Sequence, residues 1–169
     1  WYKKAADKGY ESALLALGNI YKKGDGVSKD FIEAADLYKK AALKGNTTAQ
    51  ISLAYMYLKG MGVKEDIGKA IEWFKKAADQ GIALAQFNIG VIYRDELGVP
   101  KDLKEAVKWF GLAVDAGEPN AQNALGELYN TGQGVYKDTK EAYKLFLLAA
   151  EQNHPEGQYN LGLLYDNGK

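Results

Sequence analysis

The chain has 169 residues, 22 basic side chains against 22 acidic ones, one histidine and no cysteine. Balanced charge gives no electrostatic reason to expect a nucleic acid or an anionic membrane as partner, and the lack of cysteine excludes disulfides, thiolate metal ligands and a cysteine nucleophile. No apolar run approaches the roughly 20 residues that cross a bilayer, so no membrane span is expected.

Taken in order, the chain repeats itself every 36 residues. Residues 1–9 pair in pattern with Trp73–Gly81 (Trp-Tyr-Lys-Lys-Ala-Ala against Trp-Phe-Lys-Lys-Ala-Ala) and predict the second helix of a truncated repeat. Four full repeats follow at 11–45, 47–81, 83–117 and 119–153, each reading as two helices around a glycine-rich turn. Residues 155–169 hold the first helix of a truncated fifth repeat, reaching Asn167 and closing at Gly168. The chain is therefore read as one array, cut from a longer one. A period in this range implies stacked units, none of which buries its apolar face alone.

The turns have a mechanism. Gly24, Gly60, Gly132 and Gly168 stand where the first helix must stop, at a cap that favours a left-handed backbone. A second glycine follows two residues later at Gly26, Gly62, Gly98 and Gly134, and Val27, Val63, Val99 and Val135 then anchor the loop. Asp30, Asp66, Asp102 and Asp138 are placed to cap the second helix, and Glu33, Glu105 and Glu141 complete the spacing of a capping box. Gly45, Gly81 and Gly117 close that helix, with Asn153 as substitute. The third repeat has Glu96 for the first glycine and Pro100 after its valine, which predicts a stiffer, differently shaped loop. At 100° per residue, Ala13, Leu14, Leu17, Gly18, Ile20 and Tyr21 share one arc of a first helix, and Phe31, Ala34, Ala35, Leu37, Tyr38, Ala41 and Ala42 one arc of a second. The recurring tyrosines and tryptophans belong to the core on this count.

The series Ala13, Leu17, Gly18, Tyr21, Gly24, Gly26, Val27, Asp30, Ala34, Tyr38, Ala41, Ala42 and Gly45 resembles the Sel-one-like repeat, a relative of the tetratricopeptide repeat. The resemblance implies an all-α fold, a right-handed α-solenoid of stacked antiparallel two-helix repeats, with first helices lining a concave surface. It also implies work as a scaffold or adaptor that gathers a protein or peptide partner, as family members do in bacterial signalling, host interaction and endoplasmic-reticulum quality control. The compartment stays open between bacterial cytoplasm, periplasm and secretion. A cysteine-rich branch of the family is linked to penicillin binding and β-lactamase activity, and the absence of cysteine here argues against borrowing from it. A hydrolase of that kind and a passive spacer remain the alternatives.

Partner specificity is expected on the first-helix arcs that face away from the core. Ile51, Tyr55, Phe87 and Val91 are too apolar for a surface that meets only water and suggest the floor of a groove, with Asn19, Asn88, Lys59 and Arg94 pinning polar groups of the ligand. The competing reading is that neighbouring first helices bury part of this arc against each other. On the outer face of the second helices, Gly111-Leu112 and Leu147-Leu148 replace Lys39-Lys40 and Lys75-Lys76. Leu112, Leu147 and Leu148 suggest a second contact face, toward another chain or another part of the same protein.

Chemistry is not encoded in a comparable pattern. His154 precedes Pro155 in a turn, no metal-ligand spacing or activated nucleophile occurs, and the glycines end helices instead of forming a phosphate loop. No catalytic residue, metal or cofactor is expected. Most acidic side chains read as caps or as partners of lysines, Glu72 with Lys76 among them.

Overall fold

A computed structural model describes residues 1–166. All of their regular structure is helical: α1 (Tyr2–Asp7), α2 (Glu11–Lys23), α3 (Phe31–Leu43), α4 (Thr47–Lys59), α5 (Ile67–Ala78), α6 (Ala83–Arg94), α7 (Leu103–Asp115), α8 (Pro119–Thr131), α9 (Thr139–Glu151) and α10 (Pro155–Asp166). Asn167 and Gly168, the expected end of α10 and its cap, lie outside the described residues. Packing divides the chain into two units, Trp1–Gln80 and Gly81–Lys169.

In the first unit α2 pairs with α3 and α4 with α5, and α3 also packs on α4. Small residues allow this. A Cβ on Gly18 would lie 2.7 Å from the ring of Tyr38, which is fully buried, so the ring of α3 seats directly on the backbone of α2. Phe74 occupies the matching place in the next repeat, fully buried and edge-on to Tyr55 at 5.2 Å between ring centroids. Burying an aromatic side chain of this size contributes about 1.5–3 kcal/mol, which short helices of 12 or 13 residues need, being marginal alone.

The second unit repeats the scheme with α6 on α7, α8 on α9 and α10 on α9. Gly90 and Gly126 leave room for Phe110 and Phe146, whose rings would stand 2.5 and 2.6 Å from an added Cβ. Phe110 lies in a cluster with Ala113, Ala121, Ala124, Leu125, Leu128 and Leu145, and Phe146 in another with Ala142 and Leu164.

Glutamines tie the helix ends within repeats and, at two joints, between them. Gln50 is buried, and its Nε2 donates to the carbonyl of Ala42 in the preceding second helix at 3.2 Å. Its Oε1 accepts from Gln80 Nε2 at 3.0 Å. In the second unit Gln122 Oε1 accepts from Gln152 Nε2 at 2.9 Å, and Gln158 Nε2 donates to the carbonyl of Ala150 at 3.4 Å. A buried amide satisfied in this way gives a helix end the donor it lacks.

The aspartates cap as expected, but the reciprocal half of the capping box does not form. Asp30 and Asp138 each accept from two backbone N–H groups, Asp66 and Asp102 from one. Their own N–H groups donate to the carbonyls of Tyr21, Tyr57, Tyr93 and Tyr129 at 2.9–3.0 Å, so nothing is left for the glutamates to accept. Glu105 bonds instead to Lys108 and to Trp109 Nε1, and Glu141 to Lys144. The third loop is also less distinct than its sequence predicts. Glu96 takes the left-handed conformation at φ 56°, Asn153 does likewise at φ 60°, and the bonds Leu97 N–H to Ile92 and Asp102 N–H to Tyr93 match those of the other loops. Finally, Lys76 does not pair with Glu72: its Nζ sits 4.2 Å above the ring of Trp73, where the cation meets the face of the π-system.

Candidate functional site

In α2, α4 and α6 the outward arc is held by the aromatic residue of the helix's own partner. In the first unit, α2 and α4 present Asn19, Ile51, Tyr55 and Lys59. Asn19 and Lys59 are exposed, whereas Ile51 and Tyr55 are half-buried. Asn19 is oriented from below, because the hydroxyl of Tyr38 donates to its Oδ1 at 2.7 Å. Tyr38 stands where the three following repeats carry Phe74, Phe110 and Phe146, and burial pushes its phenol up from 10.0 to about 12. The hydroxyl therefore keeps its proton at any ordinary pH.

In the second unit, Phe87 and Val91 pack against the Phe110 cluster, and the ring of Phe87 lies 5.7 Å from that of Phe110. Part of this arc is thus taken into the core of the unit, so Phe87 and Val91 also serve its packing. Asn88 Nδ2 donates to the carbonyl of Leu84 at 2.6 Å. Arg94 forms a two-pronged bond with Asp95, Nε to Oδ1 at 2.6 Å and Nη2 to Oδ2 at 2.9 Å, and lies 5.6 Å from the ring of Phe110. The bond to Arg94 holds the Asp95 carboxyl below the usual range, and that to Asp95 raises the guanidinium.

The same arc continues onto α8 and α10 as a polar network that the sequence pattern did not single out. Asn160 Nδ2 donates to Asn123 Oδ1 at 2.9 Å and to Glu127 Oε1 at 3.2 Å, and Asn123 Nδ2 donates to Glu127 Oε1 at 3.0 Å. The recurrence of glutamine at 50, 86, 122 and 158 was a further missed signal, visible as Ala-Gln or Gly-Gln at the repeat spacing. On the outer face of the second helices, Leu112 and Leu148 are 48% and 43% exposed and Leu147 is half-buried.

His154 has a structural task. Its Nδ1 accepts from the backbone N–H of Gly157 at 3.1 Å, which caps α10, and Nε2 contacts Asn120 Oδ1 at 3.1 Å. Among the described residues no group of three histidine, cysteine or acidic side chains is arranged to hold a metal ion, and no helix is long and apolar enough to cross a membrane.

Paired helices with a fixed period and a small residue facing the buried aromatic ring define a two-helix repeat protein of the α-solenoid class. The family is the Sel1 repeat, whose model matches residues 1–10, 11–46, 47–82, 83–118, 119–154 and 155–169, and the chain belongs to it. No curated protein matches the chain. Among solved structures it is similar to a protective antigen of uropathogenic Escherichia coli displaying an SLR fold, at 34% identity and TM-score 0.89 over 99% of this chain and 36% of that one. It is also similar to a Sel1 repeat protein from Oxalobacter formigenes, at 35% identity and TM-score 0.87 over 95% of this chain and 66% of that one. The chain thus spans about a third of the first relative and about two thirds of the second. Cysteine rich protein B of Helicobacter pylori shares the fold, at 23% identity and TM-score 0.63 over 79% of this chain and 96% of that one.

Proposed function

We propose that the chain is a non-catalytic interaction scaffold that takes a protein or peptide partner on the outward arcs of its first helices. The observation that carries this is the half-buried apolar group on each unit, Ile51 with Tyr55 and Phe87 with Val91, bordered by exposed or half-buried polar side chains. Such a surface offers apolar contact at its centre and hydrogen bonds at its rim, the distribution that recognition sites use. Family membership supports the same reading.

Truncating the apolar residues themselves would confuse binding with folding, since Phe87 and Tyr55 pack on Phe110 and Phe74. Obstruction is the cleaner test. Thr48→Trp and Leu84→Trp place bulk on exposed positions of the two arcs. Peptides selected from a displayed random library against the native chain should lose binding to one or other variant while helicity is unchanged. Selected peptides that bind both variants as well as the native chain would remove these arcs from the function.

A second contact face is proposed at Leu112 and Leu148, half-exposed leucines one repeat apart where earlier repeats carry lysine. Sedimentation should show a lower mass for a Leu112→Lys, Leu148→Lys variant if copies of the chain associate there. An unchanged mass would exclude self-association through this face. Turnover of a chromogenic β-lactam by the native chain would count against the non-catalytic reading.

A further inference from the structure

The first-helix surface of the first unit carries charge that the unit does not neutralise. Along the outward arcs of α2 and α4 stand Lys22, Lys23 and Lys59, and the one carboxylate bordering them, Glu11, lies at the opposite end of α2. None of the three forms an ion pair among the described residues, whereas Lys40, Lys69, Lys108 and Lys144 elsewhere each hold one. The second unit differs: its arcs carry Arg94, already committed to Asp95, together with Glu127, Glu156 and Asp166. Lysines in a last helical turn complement the helix dipole, but that requirement is met by a single cation per helix.

Asn19 supplies an independent sign. The Tyr38 hydroxyl donates to Oδ1 of this exposed side chain at 2.7 Å, and no acceptor for its Nδ2 donors occurs among the described residues. The hydroxyl has no packing role that phenylalanine at 74, 110 and 146 does not fill. Its consequence is an amide held through its oxygen, with its two Nδ2 hydrogens left for an incoming acceptor. Three cations and a fixed donor, set beside the half-buried Ile51 and Tyr55, are complementary to oxygen acceptors that carry negative charge.

Building on the reading of these arcs as the partner surface, we propose that the α2 and α4 face binds an acidic polypeptide segment. Lys22, Lys23 and Lys59 pair with its carboxylates, Asn19 Nδ2 donates to an oxygen of the segment, and its apolar side chains rest on Ile51 and Tyr55. Tyr38 is a positioning residue, acting through Asn19.

The test uses the whole chain and three short fluorescent peptides, in which leucine alternates with glutamate, glutamine or lysine. Anisotropy titration should give affinity for the glutamate peptide about 10-fold above the glutamine peptide, with a preference that shrinks as salt rises. Lys22→Glu with Lys59→Glu should abolish that preference with helicity unchanged. Tyr38→Phe should weaken the glutamate peptide while leaving its salt dependence intact, which loss of a charge would not do. Equal affinity for the glutamate and glutamine peptides would overturn the acidic assignment and leave the scaffold reading standing. Failure of all three peptides to bind would overturn both. Binding of phosphatidylserine vesicles, with none of the acidic peptide, would overturn the choice of a polypeptide.

Discussion

Tyr38 and Gly62 show how much one residue decides here. Burial raises the Tyr38 phenol from 10.0 to about 12, so the folded chain holds that proton more tightly than the unfolded one. Its contribution is complete below pH 10 and is lost as pH rises through about 12. Tyr38→Phe should flatten this part of the alkaline limb, read as a smaller fall in melting temperature across the window. Gly62 has φ 69°, and an added Cβ would run into the carbonyl of Phe31; Gly26 has φ 73° but faces open space. Gly26→Ala should therefore cost only the backbone term, about 1–2 kcal/mol. Gly62→Ala should cost about 1–3 kcal/mol more through overpacking, measured by urea unfolding.

At the scale of the helix, the loop is tied at both ends by aspartate. Its carboxylate caps the second helix, and its N–H returns to the tyrosine carbonyl of the first. Asp138→Ala should cost about 1 kcal/mol, and Glu141→Ala only the few tenths of an exposed i,i+3 pair with Lys144. Comparable losses from the two changes would restore the closed capping box. Helix ends were legible in the sequence because caps are local: Gly24, Gly60, Asp30 and Asp66 act within a few residues of themselves. The tyrosine carbonyl was not, since a backbone acceptor carries no residue identity. Gln50 was missed for a related reason. A 100° count assigns a polar residue to a face, but only the neighbouring helix reveals that the face is buried and that a carbonyl waits there. The candidate surface was legible in its composition, and its half-burial was not: the packing of Phe87 on Phe110 depends on how deeply Gly90 lets that ring descend.

For the whole molecule, stability is set by repeats and the joints between them, approximately as a sum of nearest-neighbour terms. Removing residues 119–154 would join Glu118 to Pro155, reproducing the step from Glu118 to Pro119. The shortened chain should fold, with its loss of circular-dichroism signal matching two helices and a lower melting midpoint. A chain that fails to fold would show that repeats in the second unit are not interchangeable.

The fastening at two of the joints travels with the repeat, since Gln50 and Gln158 reach back from their own helices to main-chain oxygens that any predecessor possesses. Slippage of the gene by a whole repeat would then alter the reach of the arm without requiring a matched change at the splice. Lineages could change the length of the array by copying or dropping a segment, leaving its exposed side chains to drift on their own.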